Sequence, residues 1–130
     1  MRTGALRAIA ATGTLAVVLV ACGGGGSSSS SFKEPTGPAV ATVKLESGNT
    51  FFKPNEVSVP KAGVIGITLK NIESGIHDLV IRNVPGFQIE VSGSGDTVTK
   101  KVDLKKGKYY FYCTIPGHEE AGMHGNLTVQ

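Results

Sequence analysis

"KYYFYCTIPGHEEAGMHGNLTVQ", residues 108–130, joins two stretches of alternating polarity through a loop that carries the chain's scarcest side chains. In the first stretch Tyr109, Phe111 and Cys113 share one face of an extended strand, and Tyr110 and Tyr112 share the other. Successive side chains of a strand point to opposite sides. The last stretch, "GNLTVQ", alternates in the same way. Between them lie Cys113, His118 and Met123, with His124 directly after the methionine. The loop thus gathers one of the two cysteines, two of the three histidines and one of the two methionines, the other being Met1.

The same period of two extends upstream. In "VATVKLES" the apolar Ala41, Val43 and Leu45 alternate with Thr42, Lys44 and Glu46. "EVSVP", "VIGITLK", "HDLVIRN", "QIEVS" and "DTVTKKVDL" follow, separated by turns that contain Gly, Pro and Asn. The Gly content of "GFQIEVSGSGD" leaves a strand and turn, or partly a loop, open there. With no convincing helical stretch, these segments predict an all-β fold over 39–130. The expected form is an antiparallel Greek-key β-sandwich or barrel of about eight strands. A domain of this size buries roughly 60–65% of its unfolded surface, enough for one modest core.

The N-terminal third has a different character. "MRTGALR" is a short positive region, and "AIAATGTLAVVLVA" is an apolar run too short for the roughly 20 residues of a membrane-spanning helix. It reads as an export signal over residues 1–21. The run ends in "LVAC", Leu19 to Cys22, which resembles the lipobox of bacterial lipoproteins and implies cleavage before Cys22 and lipid on its thiol. An ordinary signal peptide ahead of a cysteine, or an uncleaved anchor, is the other reading. Residues 22–38, the lipidated cysteine plus "GGGGSSSSSFKEPTGP", read as a flexible linker.

The formal charge of +3 misleads, since Arg2 and Arg7 belong to the leader. Without residues 1–21, eleven basic side chains face ten acidic ones, and Arg82 is the single remaining arginine. No basic stripe is present, which argues against nucleic-acid binding. If Cys22 carries lipid, Cys113 has no disulfide partner, and a free thiol in an oxidising compartment needs something to hold it.

His77 supplies a fourth candidate. In "HDLVI" it shares a face with Leu79 and Ile81, so both His77 and Cys113 are expected to point toward the core. One thiolate, two imidazoles and one thioether match the donor set of blue-copper centres, two His and one Cys with a weak axial Met. Zinc accepts Cys and His, but a thioether is a poor fourth ligand for it. A Cys–His nucleophile would need an exposed pocket and a third orienting group. A buried free Cys acting as a small hydrophobe, with surface histidines, is the plainest alternative for each residue taken singly.

Over residues 39–130 the chain resembles the cupredoxins, the small blue-copper fold of plastocyanin, azurin and auracyanin. The resemblance rests on N-x5-H (Asn71 to His77), then C-x4-H-x4-M (Cys113, His118, Met123), ahead of the final "GNLTV" strand. It implies one type 1 copper per domain, with His77, Cys113 and His118 as equatorial ligands and Met123 as the axial one. It also implies Asn71 and the residue after the first histidine as supporting positions. The family often has Asn at the latter, where the backbone N–H bonds the cysteine sulfur; here it is Asp78, whose carboxylate is expected to favour Cu(II). The second histidine of the family is the exposed one, so Ile115, Pro116 and His118 become candidates for partner contact. His124 is expected to turn toward solvent, and Glu119 and Glu120 to form a solvated acidic pair.

The function this implies is a monomeric, lipid-anchored, extracytoplasmic electron carrier, not an enzyme, that works between membrane-associated redox proteins. The alternative is an extracytoplasmic copper chaperone or scavenger.

Overall fold

The structure, a computed structural model, describes residues 31–130. The export signal and Cys22 lie outside the described residues. Nine strands run in order: β1 (Ala41–Gly48), β2 (Phe51–Lys53), β3 (Glu56–Val59), β4 (Gly63–Asn71), β5 (Ile76–Ile81), β6 (Gln88–Ser92), β7 (Thr97–Leu104), β8 (Gly107–Tyr112) and β9 (His124–Val129). They form two sheets, a four-stranded one ordered β2-β1-β4-β7 and a five-stranded one ordered β3-β9-β8-β5-β6. The all-β sandwich expected from the alternation is therefore present. The strand not read from the sequence is β2, three residues that pair with the end of β1.

The strand directions differ from the antiparallel expectation. β1 pairs with β4 in parallel, and β3 with β9 in parallel, so both sheets are mixed. Alternation reports which face a side chain takes but carries no information about strand direction. Direction is set by the connections, and here the β2–β3 excursion returns the chain to run alongside its own beginning.

Alternating residues of both sheets fill the space between them. β1 contributes Val43 and Leu45, β4 contributes Ile65, Ile67 and Leu69, β5 contributes Leu79 and Ile81, and β9 contributes Leu127 and Val129, all buried. Each such aliphatic side chain adds about 1.5–3 kcal/mol by leaving water. Phe52 and Phe111 meet edge to face with centroids 5.5 Å apart and join β2 to the sheet that carries the site. Gly125 is required beneath Phe111, since a Cβ there would run into the Phe111 ring and the Asn55 carbonyl.

The open edges of the sandwich are closed by polar contacts. Lys100 Nζ on β7 donates to the Gln88 carbonyl on β6 (2.7 Å), linking the two sheets. The Lys101 N–H donates to Glu34 (2.8 Å), and Lys101 Nζ donates to the Gly37 carbonyl (3.1 Å). Phe32 packs against Phe87 with centroids 5.2 Å apart. Residues 32–37, placed by composition within the 22–38 linker, thus lie on the domain. Covering a free edge in this way protects it from pairing with another chain.

Candidate metal centre

Register fixes the height at which each candidate sits. β8 pairs with β9 from Gly107↔Val129 to Tyr112↔His124, and β5 meets β8 at Val80↔Tyr112. Continued by one residue, that register sets Cys113 opposite Leu79, two residues from His77 on the same face of β5, and the loop from Thr114 to Met123 closes the same end. Cys113 and His77 are both buried, at 1% and 2% exposure, as the alternation predicted. His118 is half-buried and Met123 fully buried.

One ligand atom each from His77, Cys113 and His118 lies within 4.8 Å of the other two. Cys113 Sγ stands 3.6 Å from His118 Nδ1, and the two imidazole rings are 5.2 Å apart, centre to centre. Among the described residues Cys113 is a free thiol. Burial pushes that thiol up, while N–H groups of Asp78 and Ile115 aimed at the sulfur pull the other way. A cation at the sulfur would replace the proton that burial retains.

His77 carries the clearest sign that the group is built for a ligand. Its Nε2 lies 2.8 Å from Glu73 Oε1, and a carboxylate accepts, so Nε2 bears the hydrogen of the neutral ring. Nδ1 is then a bare lone pair. Among the described residues it is the one buried side-chain nitrogen or oxygen without a hydrogen-bond partner. Leaving such a group unpaired costs about 1–3 kcal/mol, which a soft cation between Nδ1, the thiolate and the second imidazole would offset. The donor set thus fits copper.

The loop that carries three of the four candidates is tied by its own backbone. The His118 N–H donates to the Ile115 carbonyl (3.0 Å), and the Ala121 N–H to the Gly117 carbonyl (3.1 Å). The Met123 N–H donates to the His118 carbonyl (2.9 Å), while the Cys113 N–H donates to the Met123 carbonyl (3.1 Å). Gly117 takes φ 83°, a left-handed conformation that glycine accepts without strain. Cys113, His118 and Met123 are therefore linked through the main chain before any metal is considered.

Asp78 is 2% exposed and bonded on both oxygens. Oδ1 accepts from the Thr114 N–H (2.6 Å), and Oδ2 accepts from the Thr114 hydroxyl and from Gln88 Nε2 (2.8 Å). It clamps the strand of His77 to the residue after Cys113. Asn71 is fully buried and acts one step further out. Its Nδ2 donates to the Gly75 carbonyl (2.6 Å), and its Oδ1 accepts from Ser47 Oγ (3.3 Å) and the Glu73 N–H (3.4 Å). It shapes the turn that delivers Glu73.

Two expectations at this end change. Glu119 is not part of a solvated pair: it accepts from Arg82 Nη2 and from the Tyr110 hydroxyl, each at 2.9 Å, while Glu120 is exposed. Burial, followed by the bond to Glu119, raises the Tyr110 phenol. His124 is half-buried rather than turned to solvent, stacked on Tyr110 with centroids 5.4 Å apart. Arg82 lies over the same ring at 4.4 Å. This cluster sits on the outer face of β8, opposite Cys113. Among the partner-contact candidates, Pro116 is exposed, Ile115 half-buried against the core, and His118 half-buried.

The sequence reading missed Glu73, Thr114 and Arg82. The one signal available was Glu73 four residues before His77, a spacing without a fixed meaning in a turn.

Comparison with known proteins converges on one description. A family model for copper-binding proteins of the plastocyanin/azurin family matches residues 39–130. The basic blue protein of Cucumis sativus is 34% identical over 61 residues, which cover 44% of this chain. The chain spans 64% of the length of that relative. Among solved structures, dithionite-reduced auracyanin from the photosynthetic bacterium Roseiflexus castenholzii superimposes with a TM-score of 0.62 at 24% identity, over 72% of this chain and 99% of that one. Auracyanin B gives 0.59 at 20% identity, over 75% and 94%. At these identities the structural likeness speaks for the fold.

Proposed function

Because the chain belongs to the plastocyanin/azurin family of copper-binding proteins, we propose that it is a blue-copper electron carrier whose metal is held by His77, Cys113, His118 and Met123. The observation that carries this reading is the buried, unpartnered Nδ1 of His77 beside a free buried thiol and a second imidazole. Bound copper would supply a one-electron Cu(II)/Cu(I) couple.

The chain's own part is to hold the donors still. Glu73 fixes the tautomer of His77, the Asp78–Thr114 clamp sets Cys113 against β5, and the loop's backbone bonds set His118 and Met123. A donor set that does not rearrange keeps the cost of changing oxidation state small. Met123 would supply the fourth donor, a thioether, by its position in the motif and its complete burial.

His118, the half-buried imidazole, is the exit for electrons, with exposed Pro116 beside it. Ile72 and Ile76, on the turn and strand that carry His77, are 44% and 56% exposed and supply further apolar surface at that end. Partners of this family role are other redox proteins. The reading extends to a chain exported by residues 1–21, lipidated at Cys22 and tethered by the segment that follows. The domain would then work as a monomer at an extracytoplasmic membrane surface, between membrane-associated donors and acceptors. Among the described residues no helix is long and apolar enough to cross a membrane.

The test is a redox titration of the copper-loaded protein combined with a chelator challenge. A carrier gives a reversible one-electron transition and keeps its copper in both oxidation states. Ready loss of copper to the chelator would instead favour a protein that delivers or stores the metal.

A further inference from the structure

The turn between β4 and β5 holds a charge against the site. Asn71, fully buried, bonds the main chain at both Glu73 and Gly75, and this turn presents the Glu73 carboxylate to His77 Nε2 at 2.8 Å. His77 is 2% exposed, and Glu73 has a third of its side chain in solvent. The carboxylate is thus partly screened on its own side, while the ring it touches is enclosed. The Glu73 interaction acts through an imidazole whose other nitrogen is the bare atom of the site.

We propose that Glu73 is a positioning and tuning residue for copper, one that holds His77 in the Nε2–H tautomer and biases the site toward Cu(II). This rests on His77 being a copper ligand. Two effects follow from one contact. The hydrogen bond orients the ring and selects its tautomer, and the negative charge makes Nδ1 a stronger donor. The charge also favours the more positive metal state by electrostatics across the ring. A neutral acceptor would supply the first effect without the second, so the two can be separated by substitution.

Two variants of the full chain do this. Glu73→Gln keeps an acceptor oxygen and removes the charge; Glu73→Ala removes both. With copper bound, both should retain the blue absorption band while the preference for Cu(II) falls roughly three- to tenfold, partial exposure of Glu73 limiting the effect. Tenfold corresponds to a rise of about 59 mV for one electron. In the metal-free protein, nitrogen NMR of His77 at pH 8 should report the Nε2–H tautomer in the wild type and in Glu73→Gln, and a mixture in Glu73→Ala. An unchanged potential in both variants that stay blue would overturn the tuning role, and an unchanged tautomer in Glu73→Ala would overturn the positioning role. If the wild type takes up copper without turning blue, the ligand assignment fails instead, and the NMR result still decides what Glu73 does to His77.

Discussion

The two ends of His77 stand for two kinds of interior. Toward the middle of the sandwich, Leu79, Ile81, Ile67 and Leu69 are held by apolar packing that any side chain of similar volume could supply. Toward the loops lie buried Asn71, Ser47, His77, Asp78 and Cys113, and nearly every polar atom has a designated partner. The first region specifies that the chain folds. The second specifies where donor atoms are held, and it tolerates one exception, His77 Nδ1. Non-directional packing can be reshuffled, whereas a hydrogen-bonded network fails wherever one member is lost.

Substitutions in each region should therefore separate stability from the metal site. Ile67→Ala, deep between the sheets, is expected to cost about 2–5 kcal/mol in denaturant unfolding and to leave the blue band of the copper-loaded protein at its original wavelength. A shifted band would mean that the two regions are coupled. Asp78→Ala is expected to cost less, about 1–3 kcal/mol, because it strands the Thr114 N–H. Unlike Ile67→Ala it should alter the band, since it frees Cys113 from β5. The smallest effect belongs to Arg82→Ala, outside both regions. Arg82 is about half exposed, so losing its pair with Glu119 should change stability by less than about 1 kcal/mol and leave the band unmoved.

The same contrast explains what the sequence could and could not reveal. Period-two alternation reports burial, so it placed Val43, Leu45, Leu79, Phe111, His77 and Cys113 on inner faces, where they are found. Loop spacing brought Cys113 and His118 together, because nine intervening residues between Cys113 and Met123 leave little room for anything but a closed turn. Alternation is silent on strand direction, so the parallel β1–β4 and β3–β9 pairs were not legible. Nor were polar contacts between distant segments. Glu119 looked like half of a solvated pair until β5 brought Arg82 beside it, 37 positions away. Glu73 gave no signal of its own because the turn that aims it depends on the buried Asn71 and on Ser47 across the sheet. Residues 32–37 were read as linker from composition, although Phe32 and Glu34 have specific partners on Phe87 and Lys101.

The central claim is that Cys113, with two imidazoles, holds one copper through its sulfur. The most direct measurement is the visible absorption of the purified protein titrated with Cu(II), alongside Cys113→Ser. An intense thiolate-to-Cu(II) band that saturates at one copper per chain in the wild type and is absent from the serine variant is the predicted result. A wild-type protein that binds copper without colour, or a band that survives in Cys113→Ser, would contradict it.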